Sequence, residues 1–251
     1  MSAAYDNYNY QAYWKGRDYE HESEVLAINS FIKHLPNNLN VIDIGCGFGR
    51  LAPLYLNKSK RALLTDSSKK CLSEAKVRLS KDPRVSFLYS KAENVVKKTG
   101  SQKFDLALFV RVMHHIEDPK IILKEVNRLL KKDGFFILEY ANKQHIKATF
   151  MNLKRGNFIF PFEIFPEDKR TSSNQNEKCI PFLNFHPAYI KDLLTESGFE
   201  IIEVRSVSNA RSRKLKKIFP HNFMLLIERF LQKPLGKIHF GPSIFVLAKK
   251  K

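Results

Sequence analysis

Short apolar runs alternate with longer stretches in which apolar residues recur every three or four positions, and this alternation organises most of the chain. Residues 19–35, YEHESEVLAINSFIKHL, set Val25, Ile28, Phe31, Ile32 and Leu35 at helical spacing before Pro36 ends the pattern. LNVIDIG (39–45) predicts a buried strand and RLAPLYLNK (50–58) a short helix. RALLTD (61–66) predicts a second strand, SKKCLSEAKVRL (68–79) a second helix and RVSFLYS (84–90) a third strand. FDLALFV (104–110) is apolar enough to be covered on both faces. DPKIILKEVNRLLKKDG (118–134) reads as a helix with Asp118 as N-cap, Pro119 in its first turn and Gly134 as its stop. FFILEY (135–140) is a fifth strand. Strands alternating with helices imply an α/β fold with a mostly parallel sheet and helices on both faces.

After Tyr140 the rhythm breaks. Residues 141–186 are rich in Phe and Pro around a polar centre, and read as an inserted cap. The rhythm resumes with a helix in HPAYIKDLLTESGF (186–199) and a strand in EIIEVRSV (200–207). FPHNFMLLIERFLQKPLG (219–236) predicts a late helix, and SIFVLAKK (243–250) a last strand inserted antiparallel. The chain is thus expected to form one domain over 1–251. Its parts are an N-terminal helical lid (1–36), a core (37–140), the cap (141–186) and a C-terminal part of the sheet with a basic helix (187–251).

At 251 residues, 43% apolar and 27% charged, the chain is long enough to bury a full core. No run of about 18 uncharged apolar residues marks a membrane span. The polar, aromatic N-terminus predicts no secretory leader. Three dispersed cysteines without a CxxC pair predict a reduced, cytoplasmic setting and no metal site.

Charge changes the picture. Lys and Arg number 43 against 25 Asp and Glu, a formal net charge of +18. Residues 203–251 hold twelve of the basic residues and only two acids, Glu203 and Glu228. Such a balance favours anionic partners, namely nucleic acid, acidic lipid headgroups or a phosphorylated substrate, against the plain alternative of charge for solubility. The helix within 211–233 is expected to pack its apolar side on its own domain, although a basic amphipathic helix also suits peripheral contact with an anionic membrane. No RNA-binding module accompanies the charge, so nucleic acid is the weaker partner class.

The candidate chemistry starts in VIDIGCGFGR (41–50). Gly45, Gly47 and Gly49 follow a strand directly and precede a helix, so a ligand can approach the backbone. The third glycine is one position early for a dinucleotide fingerprint. Asp43 precedes the first glycine by two, and Asp66 lies twenty-one residues after it, at the end of the second strand. A carboxylate there can accept both hydroxyls of a ribose. The set suits a nucleoside without a pyrophosphate, with Asp43 near a cationic group.

D-x-G-x-G-x-G after strand one, the acid after strand two and FDLALFVRVMHHIEDPKIILKEVNRLLKKDGFFILEY resemble the class I S-adenosylmethionine-dependent methyltransferases over roughly 39–140. HPAYIKDLLTESGFEIIEV resembles that family's late helix and strand. The resemblance implies a Rossmann-like, doubly wound sheet of seven strands with the last antiparallel, and S-adenosylmethionine as cofactor. It places Asp43 by the methionine amino group, and Gly45, Cys46, Gly47 and Gly49 against the methionine and ribose. It puts Asp66 on the ribose hydroxyls, Ser67, Ala92 and Glu93 around the adenine, and Val110 and Arg111 near the sulfonium. Tyr13, Arg17 and Tyr19 of the lid are candidates to touch the methionine carboxylate or the acceptor. Phe160 and Phe162 of the cap are candidates for an apolar acceptor. Imidazole titrates near neutrality, so His114 and His115 are the candidate bases; the structural alternative is packing or capping before Asp118.

No Asn/Asp-Pro-Pro-aromatic tetrad and no Pro-Cys pair occurs, which argues against methylation of nucleobases. The expectation is methyl transfer to the O, C or N of a small or lipid-like acceptor. RNA methylation and a non-catalytic cofactor-binding partner subunit are the alternatives.

Overall fold

The computed structural model describes residues 6, 9–171 and 180–251. Its elements run α1 (Tyr10–Tyr13), α2 (Asp18–Ile32), β1 (Leu39–Ile44), α3 (Ala52–Leu56), β2 (Ser59–Asp66), α4 (Lys69–Leu79), β3 (Val85–Tyr89), α5 (Val95–Thr99) and β4 (Phe104–Phe109). They continue with α6 (Pro119–Leu129), β5 (Leu130–Ala141), α7 (Ile146–Lys154), β6 (Glu167–Asp168), β7 (Leu183–Asn184), α8 (Pro187–Glu196), β8 (Phe199–Val207), α9 (Arg213–Ile218), α10 (His221–Gly236) and β9 (Ser243–Lys250).

Seven strands form one sheet in the order β3-β2-β1-β4-β5-β9-β8. The first five pair in parallel, and β9 enters antiparallel between β5 and β8. Alternation along β1 sends Ile42 and Ile44 to one face of the sheet, and Leu39 and Val41 to the other. Ile122, Leu123 and Val126 of α6 and Ile190 and Leu194 of α8 complete the first core. Ile28 and Phe31 of α2 and Tyr55 of α3 complete the second. Phe31 is fully buried there, and its truncation to Ala costs about 3–5 kcal/mol. This is the α/β arrangement the alternating pattern predicts, with the seven strands and the antiparallel last strand that the resemblance implies.

Local signals set the helix starts. Ser68 Oγ accepts from the Cys71 amide at the head of α4, and Asp118 Oδ1 accepts from the Ile121 amide at the head of α6. The end of α6 departs from the sequence reading. The helix stops at Leu129, and Leu130 already pairs with Phe104 as strand. Residues 131–134 then bulge opposite Asp105, because the pairing resumes only at Leu106 with Phe135. Asp133 turns with φ 62°, and Lys131 reaches Asp105 at 2.7 Å.

A second departure lies in α10. Its apolar side was expected to pack on the domain. Instead it buries Met224, Glu228, Gln232 and Gly236, while Phe223, Leu226 and Phe230 face outward. Among the described residues no helix is long and apolar enough to cross a membrane. Cys179 and most of the cap's polar centre lie outside the described residues.

Candidate active site

β1 delivers the chain into the glycine loop beside β2. The amides of Gly45 and Cys46 both donate to Thr65 O, at 2.8 and 2.9 Å, which ties the loop to the end of β2. Gly45 and Gly47 have φ of 77° and 56°, the left-handed region that glycine enters without strain. A Cβ on Gly47 would stand 3.1 Å from the Tyr10 ring. An aromatic ring therefore already lies against this stretch of backbone.

Two acids flank the turn. Asp66 accepts from the Gly47 amide at 2.8 Å and from the Ser68 amide at 2.7 Å. Burial raises its carboxyl above the ordinary range, and these amides oppose the rise. Asp43 is buried and accepts from Tyr55 Oη at 2.8 Å. Burial pushes it up to about 7, with the Tyr55 bond opposing. Among the described residues it forms no salt bridge. Cys46 is half-buried, and desolvation raises its thiol well above its usual value.

The N-terminal segment covers this turn. Tyr10 meets Phe48 edge-on at 5.9 Å, and burial pushes its hydroxyl up to about 12. Asp6 accepts from Ser68 Oγ at 2.7 Å, and Gln11 donates to Glu74 at 3.0 Å. Two guanidinium groups lie against the Trp14 ring, Arg50 at 3.6 Å and Arg111 at 4.9 Å from its centroid. Both arginines converge on Glu24 of α2. Burial alone would raise Glu24, but Arg111 and Arg50 outweigh it and hold the carboxylate below its usual range. The cleft left between Tyr10, Asp43, Gly45, Cys46 and Arg111 holds only ≈ 20 Å³.

At the end of β4, Val110 is buried and Arg111 adopts φ 60°. The Arg111 amide donates to Glu139 of β5 at 2.9 Å, and Ser243 of β9 donates to the same carboxylate at 2.6 Å. Beyond it His114 is packed between His115 (4.0 Å) and Phe182 (4.6 Å). His115 Nδ1 lies 2.8 Å from Pro181 O. A carbonyl only accepts, so Nδ1 carries the proton and Nε2 keeps the basic lone pair. Burial depresses both imidazoles, that of His114 strongly. Both are neutral at pH 7.

The other sequence candidates scatter. Ser67 follows Asp66 directly and is half-buried. Ala92 and Glu93 form a short 3-10 turn after β3, with Glu93 exposed. Arg17 lies 4.0 Å over the Tyr13 ring, beside the covered turn. Tyr19 is buried and committed elsewhere, donating to Glu228 at 2.7 Å and accepting from the Ala210 amide. Phe160 is buried beneath Lys143. Phe162 is exposed. Among the described residues no three His, Cys, Asp or Glu side chains gather as a metal site.

Glu24, Arg50, Tyr55 and Glu139 were not singled out from sequence. Glu24 carried a signal, because Ile28 and Phe31 lie four and seven residues further on and place it on the buried stripe of α2. An acid at such a position needs a cationic partner.

Residues 42–138 match the family model for a methyltransferase domain. Over 107 residues the chain is 30% identical to a ubiquinone biosynthesis O-methyltransferase from Pelagibacter ubique, covering 42% of this chain and 43% of that protein. Over 166 residues it is 32% identical to the uncharacterized protein MJ1252 of Methanocaldococcus jannaschii, covering 64% and 62%. The chain therefore spans less than two thirds of the length of either relative. The fold superposes on magnesium protoporphyrin IX methyltransferase of Synechocystis PCC 6803 with bound S-adenosylmethionine, with a TM-score of 0.61 at 16% identity over 98% of this chain and 93% of that one. The seven-stranded sheet and the glycine turn between two acids thus accompany a methyltransferase domain matched over residues 42–138, and the chain shares the fold of S-adenosylmethionine-dependent methyltransferases.

Proposed function

We propose that this protein transfers the methyl group of S-adenosylmethionine to an apolar small-molecule or lipid-like acceptor, at oxygen, carbon or nitrogen. The observation that carries the reading is the pair of acids around the left-handed glycine turn. Asp66 is fixed by two backbone amides, which leaves its carboxylate pre-positioned for a ribose diol. Asp43 is a buried carboxylate without a salt bridge, which suits an α-ammonium group. The residues present therefore fit the cofactor.

When bound, S-adenosylmethionine supplies an electrophilic methyl on a sulfonium. What remains for the protein is alignment and exclusion of water. Val110 and the strained Arg111 form the wall beside the reacting atoms. Tyr10 and Trp14 seal the cleft. Tyr10 of α1 lies against Gly47 and Phe48, so this segment covers the place assigned to the cofactor. Arg17 and Tyr13 then border the methionine end. Neutral His115, with its Nε2 lone pair, takes the proton from a hydroxyl acceptor; His114 backs it.

The acceptor is apolar in this reading, because the cap offers aromatic rings in place of charge. Phe162 and Phe182 are exposed there, and Phe182 touches the histidine pair. The likeness to a ubiquinone biosynthesis O-methyltransferase supports the same class.

The test is calorimetric titration with S-adenosylmethionine, with NAD as control, followed by transfer of labelled methyl into a fractionated cell extract. Micromolar binding of the first ligand alone, and label in the organic-soluble fraction, is the expected result. Label in RNA would move the assignment to RNA methylation. Binding without turnover would make the chain a partner subunit. A folded sample that fails to bind overturns the reading.

A further inference from the structure

α10 is inverted. A helix on a domain surface normally turns its apolar stripe inward. Here the buried positions 224, 228, 232 and 236 carry Met, Glu, Gln and Gly. Phe223, Leu226 and Phe230 recur at helical spacing on the other side, and Phe230 is 70% exposed. Phe219, just before the helix, meets Phe223 at a tilt of 32° with ring centroids 5.6 Å apart and extends the same ridge.

The helix cannot roll to hide this ridge. Glu228 accepts from Tyr19 Oη (2.7 Å), the Ser208 amide (2.8 Å) and the Asn209 amide (3.1 Å). Gln232 donates to Ser23 O at 2.8 Å. Rotation would strip a buried carboxylate of its donors. Gly236 lies so close to β8 that a Cβ would stand 2.3 Å from Val204 O. Polar anchoring on one side and close backbone contact at the end hold the apolar side outward.

Charge says what covers it. Between residues 211 and 238 the only acid is Glu228, which is buried. Arg229, Lys217 and Lys237 are exposed and form no salt bridge among the described residues. Lys233 reaches only Glu203, at 3.6 Å. An apolar ridge edged by cations, on a segment with no exposed acid of its own and with one neighbouring acid, Glu22, held against His221 at 3.2 Å, has the chemistry of a helix lying in the plane of an anionic bilayer. A protein partner would have to supply both an apolar groove and an acidic rim; a bilayer with acidic headgroups supplies both at once.

We infer that α10, with Phe219, is a membrane-docking face, its rings inserted among acyl chains and its cations on acidic headgroups. The same helix is bonded to Tyr19 and Ser23 of α2, next to Glu24 of the arginine cluster, so docking fixes the covered cleft near the lipid surface. This does not depend on the methyl-transfer reading, and its test needs no turnover.

The test is co-sedimentation of the full chain with vesicles of phosphatidylcholine alone or mixed with phosphatidylglycerol, with sedimentation velocity of the free protein alongside. Binding to the mixed vesicles that weakens with salt is expected. The double variant Phe223→Ser, Phe230→Ser should retain the wild-type melting temperature and lose binding by about tenfold or more. Should that variant fold poorly, Arg229→Glu with Lys237→Glu must give the same loss at low salt. Absence of wild-type binding to the mixed vesicles overturns the inference. So does binding that both variants leave unchanged, or a wild-type dimer that the Phe variant dissociates while vesicles capture neither form.

Discussion

Arg111, just beyond β4, donates from Nε to Glu24 of α2 at 2.6 Å, which joins the wall of the cleft to the helix behind its cover. Arg50 reaches the other oxygen of the same carboxylate at 2.5 Å. Glu24 is fully buried, and both arginines are mostly so. Removing one partner of a buried ion cluster leaves the others uncompensated. Glu24→Ala should therefore cost about 3–5 kcal/mol of stability, read from the midpoint of a urea titration. Glu24→Gln should cost less, because an acceptor remains. The reading fails if Glu24→Ala melts like the wild type.

Asp66 does two jobs that a variant can separate. Its carboxylate holds the Gly47 and Ser68 amides and is assigned the ribose. Asp66→Ala should abolish S-adenosylmethionine binding in calorimetry. Asp66→Asn keeps one acceptor oxygen and should fold normally, with affinity reduced by about tenfold, the loss of one charge-assisted hydrogen bond. Wild-type affinity in Asp66→Asn would remove the residue from the cofactor site.

Asp43 gives a pH dependence with a definite sign. Burial raises its folded-state pKa to about 7, above the unfolded value near 3.8. Between these values the folded state binds more protons, so the group's contribution to stability falls as pH rises through that window. A cationic ligand needs the charged form. The rise in melting temperature produced by S-adenosylmethionine should therefore grow from about pH 6 to about pH 8, with protons released on binding below pH 7. Asp43→Asn should flatten the trend. An unchanged slope in that variant would assign the titration to another group.

Most of the sheet was legible because buried strands such as LNVIDI and FDLALF are predominantly apolar, and because Asp118-Pro119 announces α6 by its own chemistry. The glycine turn was legible because its left-handed backbone at Gly45 and Gly47 calls for glycine, and Asp66 because it ends β2 beside that turn and accepts from the Gly47 amide. What the sequence concealed depends on distant partners. Glu24 meets Arg111 across 87 positions, and no local pattern encodes that pairing. The bulge at 131–134 was misread as a helix end, because KKDG suits either role until the pairing of Leu130 with Phe104 decides it. α10 was misread because periodicity locates an apolar stripe but does not say which side the neighbouring elements hold. Glu228, bonded to Tyr19, settles that from outside the helix.

The histidine pair should divide its roles. His115 presents a basic Nε2, whereas His114 is packed between rings. With a hydroxyl acceptor, His115→Gln should lower kcat by about 10²–10⁴-fold with little change in the KM for S-adenosylmethionine. His114→Gln should act chiefly through stability. Burial lowers both imidazoles, so their neutral forms support the fold fully above the unfolded value near 6.5, and that support is lost as pH falls toward their lower folded values. The kcat profile should therefore hold its plateau to lower pH than a free imidazole with its value of 6.5 would allow. An inflection near 7 that His115→Gln removes would contradict the depressed pKa.

Gly236 tests the anchoring of α10 without touching its outer face. The glycine ends the helix against β8, where a Cβ would meet Val204 O at 2.3 Å and Arg205 Cα at 2.9 Å. Its φ is ordinary, so the penalty of Gly236→Ala is steric and not conformational. Neither obstacle is a flexible side chain, so the helix itself has to move. Overpacking of this kind costs about 1–3 kcal/mol. The displacement should also loosen the Gln232–Ser23 and Glu228–Tyr19 hydrogen bonds that lie one and two turns earlier. Hydrogen exchange should report it as lost protection at the Ser208 and Asn209 amides, both of which donate to Glu228. Unchanged protection there would mean that α10 is held by its exposed side and not by its polar one.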